Sequence, residues 1–355
     1  MSIVELARPE IRALVPYLAA SQVDNTIRLN ANEAPWKNSN DHFRRSLNRY
    51  PEIRPAQLTV LLARHYGCAT ERLLVTRGSS EAIDLLIRVF CRAGKDSIVT
   101  LTPTFSMYAH YAAVQGARLI ECKISRERDF SIDVDALLRL CDASTRLVFV
   151  CSPNNPTGNS VPRDDLVKLL VACDGKAAVV IDEAYIEFSE EASTVGLLAD
   201  YDNLVVLRTL SKALAFAGAR CGCVMGAAPV VAMLNAVQAP YAMATPVVEC
   251  IENSLNAANM EAADRYAREI ISERERLLAA VRQFAFVRRA WPSDANFFLV
   301  EVDDAPAVLR HCEESGILLR FIGGDLEHCI RISVGSRAEN DQLLDVLWKL
   351  SRVAP

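Results

Sequence analysis

The residue in this sequence best equipped for chemistry is Lys212, which follows an apolar, strand-like run in Leu207-Arg208-Thr209-Leu210-Ser211-Lys212. Burial among small and apolar neighbours would disfavour the charged form of its amine and free it to act as nucleophile and base. An isolated Ser-Lys reads as a solvated loop; three other segments change that reading. Arg220 stands eight residues on, in Ala217-Gly218-Ala219-Arg220, and with Thr209 and Ser211 offers donors to an anion. Asp182-Glu183-Ala184-Tyr185 follows the apolar run Val179–Ile181. An acid at a strand tip is often a cap or a metal ligand, but no second ligand lies nearby, so Asp182 and Tyr185 are positioned to reach one organic ligand. Ser152-Pro153-Asn154-Asn155-Pro156-Thr157-Gly158 follows Leu147–Cys151 and is a rigid turn that fixes an asparagine at a strand end. Finally, Arg77-Gly78-Ser79-Ser80-Glu81 opens a helix after Leu74–Thr76. Its free backbone N–H groups and dipole suit an anion, although Ser-x-Glu in that place also reads as a simple cap.

Such segments need a scaffold that brings strand ends together. From about residue 70 to 225, apolar β-branched runs (Ser97–Leu101, Ala117–Cys122, Arg146–Cys151, Ala177–Ile181, Leu204–Leu207) alternate with helical patterns (Ser80–Phe90, Ser106–Val114, Asp133–Leu140, Asp164–Cys173). This alternation predicts an α/β domain with a mainly parallel sheet covered by helices, which binds ligands outside the carboxyl ends of its strands. Residues 247–286 read as one long charged helical region. After it, NFFLVEV, a helix over Ala305–Glu314, GILLR, CIRISV and a helix from Ala338 predict a smaller α+β unit. The expected division is a large domain, 29–246, with residues 1–28 and 247–355 forming an N-terminal arm and the small domain.

Composition narrows the partners. The 355 residues carry 39 Lys+Arg against 44 Asp+Glu, a formal charge of −5, with no basic block to recruit nucleic acid or an anionic membrane. The longest nearly apolar stretch, Cys221–Leu234, is interrupted by Gly222, Gly226 and Pro229 and is shorter than the roughly 20 residues a span requires. The charged opening MSIVELARPEIR does not read as a secretion signal. Eleven scattered cysteines without a CxxC argue against a zinc site or disulfide framework, and for thiols in a reducing cytoplasm. No metal is expected.

An amine, a carboxylate, an Asn–Tyr pair and an anion cradle are together what pyridoxal 5'-phosphate needs: a lysine for its aldehyde, an acid for its ring nitrogen, donors for its 3-oxygen and a site for its phosphate. SPNNPTG, DEAYIEF, RTLSKALAFAGAR and CIRISVG, in this order, resemble the fold-type I pyridoxal-phosphate-dependent aminotransferases. LVPY, LNANE, NRYPE, TRGSSEAIDLLIRVFC and TPTFSMY are similar to the histidinol-phosphate aminotransferases among them. The resemblance runs from about residue 10 to the final helix and implies a seven-stranded-type sheet in the large domain. It implies that Lys212 links to the cofactor and moves the proton, that Asp182 pairs with the ring nitrogen, and that Asn155 and Tyr185 bind the 3-oxygen. Arg220, Ser211, Thr209, Ser79 and Ser80 would hold the phosphate, Ser80 standing where some members have an acid. Phe105 would stack on the ring, where a tyrosine is common.

By the same resemblance Tyr50 reaches the cofactor phosphate of a neighbouring subunit, which implies a homodimer. Arg331, helped by Arg320 and Tyr17, would bind the substrate's phosphate and the carboxylates of glutamate and 2-oxoglutarate, with Asn32 and Tyr241 as further candidates; a guanidinium fork suits both anions. The implied reaction is ping-pong transamination of L-histidinol phosphate in histidine biosynthesis. An aromatic amino acid aminotransferase and a threonine-phosphate decarboxylase remain open as alternatives. A transcription regulator would need a DNA-binding module, and only about 30 residues precede LNANE.

Overall fold

The computed structural model describes residues 2–18, 20, 22 and 26–353. Eleven strands form two sheets among these residues. The first contains β1 (Leu73–Thr76), β2 (Ser97–Thr102), β3 (Arg118–Lys123), β4 (Thr145–Cys151), β5 (Ala178–Asp182), β6 (Leu204–Thr209) and β7 (Gly222–Gly226), in the order β1-β7-β6-β5-β4-β2-β3. All pairings are parallel except those of β7, which runs against both β1 and β6. Strands β4, β5 and β6 are buried almost throughout, as expected of a sheet covered on both faces. Their side chains alternate between two cores: Val179, Ile181, Leu204 and Val206 on one face, Ala178, Val180, Val205 and Leu207 on the other.

The second sheet is antiparallel: β8 (Val287–Ala290), β9 (Phe297–Val302), β10 (Arg320–Gly323) and β11 (Leu326–Ser333), in the order β10-β11-β9-β8. Its own core includes Phe298, Val300 and Ile330 with Leu278 and Leu347 from the helices Ala257–Val281 and Arg337–Val353.

The apolar stretch Cys221–Leu234 is the strand β7 followed by the helix Ala228–Val237, and no helix among the described residues is long and apolar enough to cross a membrane. Two expectations are corrected. The single helical region at 247–286 is two helices, Thr245–Ser254 and Ala257–Val281. Asn256 separates them because its side chain caps the second helix, accepting from the Asn259 amide. GILLR is mostly loop, with β10 starting only at Arg320. Ile3, Leu6 and Ala7 pack in the large sheet's core beside Leu86 and Val230, and Val248 and Ile251 pack on its other face.

Candidate active site

The carboxyl ends of β1, β2, β4, β5 and β6 open on one side of the large sheet, where the second sheet faces them. A cavity of about 470 Å3 there is lined by Phe105, Asn155, Tyr185, Lys212, Arg320 and Arg331, among others. Six of the expected site residues, from four loops after strands of the large sheet and from two strands of the second, therefore meet.

Asp182 ends β5 and is 2% exposed. The Tyr108 hydroxyl donates to its Oδ2 at 2.9 Å and the Ala184 amide to its Oδ1 at 3.2 Å. Burial pushes its pKa up from 3.8 to about 6 despite those two donors and the Lys212 charge, with Glu183 adding to the rise. Tyr108 itself is wholly buried, stacked on Phe149 at 4.9 Å and edge-on to Phe105 at 5.8 Å. Sequence reasoning missed it; the signal was its position three residues after Phe105 at the start of a helix.

Lys212 opens into the cavity, with Nζ 5.5 Å from the Tyr185 ring. Desolvation, then the Arg331 and Arg220 charges, lower its pKa, and Asp182 partly opposes them. Solvent in the open cavity screens these charges. Asn155 bridges the two halves of the site: its Nδ2 donates to the Tyr185 hydroxyl at 3.2 Å and its Oδ1 accepts from Arg331 Nη1 at 2.5 Å. The neighbouring Asn154 braces the turn, bonding Thr104 and Thr157 side chains and the Pro103 carbonyl.

Two corners rich in cationic groups and hydrogen-bond donors flank Lys212. At the first, Thr76, Gly222 and Thr209 lie side by side across β1, β7 and β6, so the helix Gly78–Phe90 starts next to the Thr209–Ser211 turn. The side chain of its first flanking residue, Arg77, makes no capping bond, while Glu81 Oε2 accepts from the Arg77 amide at 2.6 Å. A Cβ on Gly222 would lie 3.0 Å from the Ser79 nitrogen, and one on Gly78 (φ +75°) would lie 2.8 Å from Arg220 Nη2. Glycine at 78 leaves room for Arg220 over the helix start, and glycine at 222 lets the Ser79 amide and the Arg208 carbonyl come close. Arg220 Nη1 is 3.4 Å from Ser211 Oγ, while the buried Thr209 hydroxyl accepts from the Ser211 amide and braces that turn from below.

At the second corner Arg320 and Arg331 stand directly opposite each other on β10 and β11. Facing like charges are destabilising unless an anion lies between them. Arg331 also packs over Phe297 at 5.1 Å, its Nε is buried without a partner, and burial with the Arg320 charge lowers its pKa. Among the described residues no carboxylate lies within ion-pair distance of Lys212, Arg220, Arg320 or Arg331, although Arg220 Nη1 donates to the Ala217 carbonyl at 3.1 Å.

Tyr17, Asn32 and Tyr50 do not line this cavity. Tyr50 stacks on Tyr241 at 4.8 Å and Tyr17 meets Tyr241 edge-on at 6.5 Å, leaving Tyr17 and Tyr50 59% and 50% exposed. Asn32 is exposed with φ +55°. The acid of LNANE, Glu33, is the working residue of that segment: it receives Arg28 at 2.6 Å, Arg49 at 2.9 Å and the Tyr50 amide at 2.8 Å. Ser79 and Ser80 are half-buried at the helix start.

This fold and this site define an aminotransferase, and the chain belongs to the family of class I and II aminotransferases, whose sequence pattern matches residues 19–347. The relatives are more specific. The chain is 43% identical over 359 residues to histidinol-phosphate aminotransferase from Xanthomonas campestris pv. campestris, covering 99% of each. It is 42% identical over 358 residues to the Xylella fastidiosa enzyme of the same name, covering 99% of this chain and 98% of that one. The crystal structure of histidinol-phosphate aminotransferase from Sinorhizobium meliloti in complex with pyridoxal-5'-phosphate matches with a TM-score of 0.77 at 25% identity, over 86% of this chain and 84% of that one.

The residues present fit pyridoxal phosphate. The glycine cradle under Arg220 leaves backbone N–H groups and a guanidinium facing one anion, the unpaired amine of Lys212 stands between the two corners, and the buried Asp182 suits a cationic ring nitrogen.

Proposed function

We propose that this aminotransferase moves an amino group between L-histidinol phosphate and 2-oxoglutarate, in histidine biosynthesis and in the cytoplasm. The observation that carries the substrate reading is the Arg320–Arg331 pair, a second anion corner across Lys212 from the Gly78–Arg220 corner. One corner takes the cofactor phosphate; the other takes a substrate phosphate or carboxylate in alternate halves of the reaction.

Bound pyridoxal phosphate supplies an aldehyde that condenses with amines and a ring that accepts electrons released at the substrate Cα. Arg220, Ser211 and the Ser79–Ser80 amides bind its phosphate, with Thr209 bracing Ser211. Phe105 covers one face of the ring, and Asp182, aimed by Tyr108, holds a proton on the ring nitrogen. Tyr185 and Asn155 donate to the 3-oxygen. Lys212 Nζ, the one amine lining the cavity, would take and hold the proton lost from the substrate Cα. Asn155 links Tyr185 to Arg331, so an anion drawn onto Arg331 is felt at the cofactor end of the site.

Adding L-histidinol phosphate alone to the cofactor-loaded protein should collapse its visible absorbance band; a band unmoved by that amine but bleached by aromatic amino acids would overturn the substrate reading. Arg331→Gln should raise KM for both the phosphorylated amine and the dicarboxylate about ten- to a hundredfold, the worth of a charged hydrogen-bonded pair. A change confined to one substrate would show that the two anions use different sites.

The second sheet with the helices from Ala257 onward is the unit proposed to move as a lid. Residues 3–7 and 245–254 stay with the large sheet in whose core they pack. The proposed assembly is a homodimer in which Tyr50, with Tyr17, completes the partner's site. The exposed Ile27, Leu29 and Trp36, on the stretch of chain between Tyr17 and Tyr50, support it. Light scattering should give twice the chain mass, and a monomer at micromolar concentration would remove Tyr50 from its role.

A further inference from the structure

Behind the cavity lies a charged cluster that the reaction as described does not use. Arg208 sits on β6 between Leu207 and Thr209, only 6% exposed, and its side chain points to the opposite face of the sheet from theirs. Its Nη2 donates to Glu187 Oε1 at 2.7 Å, and its Nη1 lies 3.4 Å from Glu183 Oε2 and 3.3 Å from Ser193 Oγ. Its guanidinium carbon is 4.5 Å from the centre of the Tyr66 ring. Glu183 is 1% exposed and also accepts from Ser193 Oγ at 2.6 Å, the Thr194 amide at 2.6 Å and Thr194 Oγ1 at 2.7 Å. Its amide donates to the Leu207 carbonyl at 3.0 Å, continuing the β5–β6 ladder one step beyond Asp182.

The sequence positions give this cluster its meaning. Asp182 and Tyr185 lie on the segment 182–187, and Arg208 grips that segment at 183 and again at 187. Arg208 is itself four residues before Lys212, on the strand that leads into it. One guanidinium thus ties the carrier of Asp182 and Tyr185 to the carrier of Lys212 at two points either side of Tyr185. Taking three charges out of water is costly, and apolar replacements of buried ion clusters are often at least as stable. Directional, two-point attachment is what a guanidinium fork gives and an apolar contact does not.

We propose that Arg208, acting through Glu183 and Glu187, is a positioning residue that fixes Asp182 and Tyr185 relative to Lys212. The inference rests on the cofactor roles proposed above for those three residues. Glu187 is the grip that holds the tyrosine side of the segment. The short helical turn Ile186–Phe188 keeps other supports when Glu187 is changed, namely its own backbone bonds and Arg274, which donates to the Phe188 carbonyl at 3.0 Å. A Glu187 variant is therefore expected to fold.

The test uses the cofactor-loaded protein. A phenol donating to the 3-oxygen stabilises its negative charge, so a displaced Tyr185 raises the pH midpoint of the visible absorbance band. Glu187→Ala should raise that midpoint by about half a unit or more and lower kcat about tenfold, with KM for the amine little changed. Glu187→Gln, which keeps an acceptor for Arg208, should recover most of both. In a Tyr185→Phe background Glu187→Ala should add nothing to the midpoint shift, because the grip acts through the phenol. The inference is overturned if Glu187→Ala leaves the midpoint in place, whether or not the thermal midpoint drops, or if the two shifts add in full. A parent protein without any visible band would instead bring down the cofactor roles, and the clamp with them.

Discussion

Replacing Lys212 by alanine is expected to remove both turnover and the visible absorbance of the cofactor-loaded protein, with the fold intact. The cavity offers no substitute. Lys212 is the one lysine among the lining residues, and the guanidinium groups of Arg320 and Arg331 do not give up a proton at working pH. Loss of a group that serves as both nucleophile and proton carrier costs about 10^4-fold or more in kcat. The same change should leave the apoprotein's thermal midpoint nearly where it was, because among the described residues no hydrogen bond or ion pair of the Lys212 amine holds the loop. That loop is tied by backbone bonds, Leu210 to Cys221 at 3.0 Å and Phe216 to Leu210 at 2.9 Å. Substitution away from packed features changes stability by about 0.5 kcal/mol or less. Turnover within tenfold of the parent, or a surviving visible band, would take the central role away from Lys212.

How much of this was legible beforehand depends on whether a residue's work is local. Asp182 follows an apolar run directly, and Tyr185, Asn155 and Lys212 follow theirs within one short turn, so their positions at strand ends could be read from the alternation. The site-lining pair Arg320 and Arg331 came from motif resemblance; what the sequence could not show is that β10 and β11 place them opposite each other, since register is a tertiary property. Tyr108 was hidden for a related reason. Its hydroxyl meets Asp182 across 74 residues of chain, and a tyrosine inside an apolar helix reads as core until the strand beneath it is known. Strand β7 escaped because Gly222 and Gly226 weaken a strand pattern, yet Gly222 is there to let the Ser79 amide approach. Arg208 and Glu183 stood inside the motifs used to read the site, and only their burial on the far face of the sheet shows that they bond to each other.

Asp182→Asn is expected to act in opposite directions on the empty and the loaded protein. In the loaded protein an amide cannot carry the charge that keeps a proton on the ring nitrogen. The Cα proton transfer should therefore slow by about a hundredfold or more, with the covalent attachment at Lys212 retained. In the apoprotein the sign reverses. The carboxyl of Asp182 has its pKa raised from 3.8 to about 6 by burial. A group raised in this way favours the fold fully below pH 3.8 and loses that contribution as pH rises through 6, so above pH 6 the apoprotein carries the cost of a buried charge. Asparagine has the same shape and no charge, and its oxygen can still accept from Ala184. The variant apoprotein should thus be more stable than the parent at pH 8, by at most about 3 kcal/mol for a shift of this size, and equal to it below pH 4. Thermal melts of both apoproteins from pH 4 to 8 read this directly, and a difference that does not vary with pH would show that Asp182 is not buried as a lone charge. Adding pyridoxal phosphate should reverse the order, because a cationic ring nitrogen compensates the carboxylate and not the amide. The destabilising charge at the end of β5 is then intelligible as half of an ion pair whose other half arrives with the cofactor.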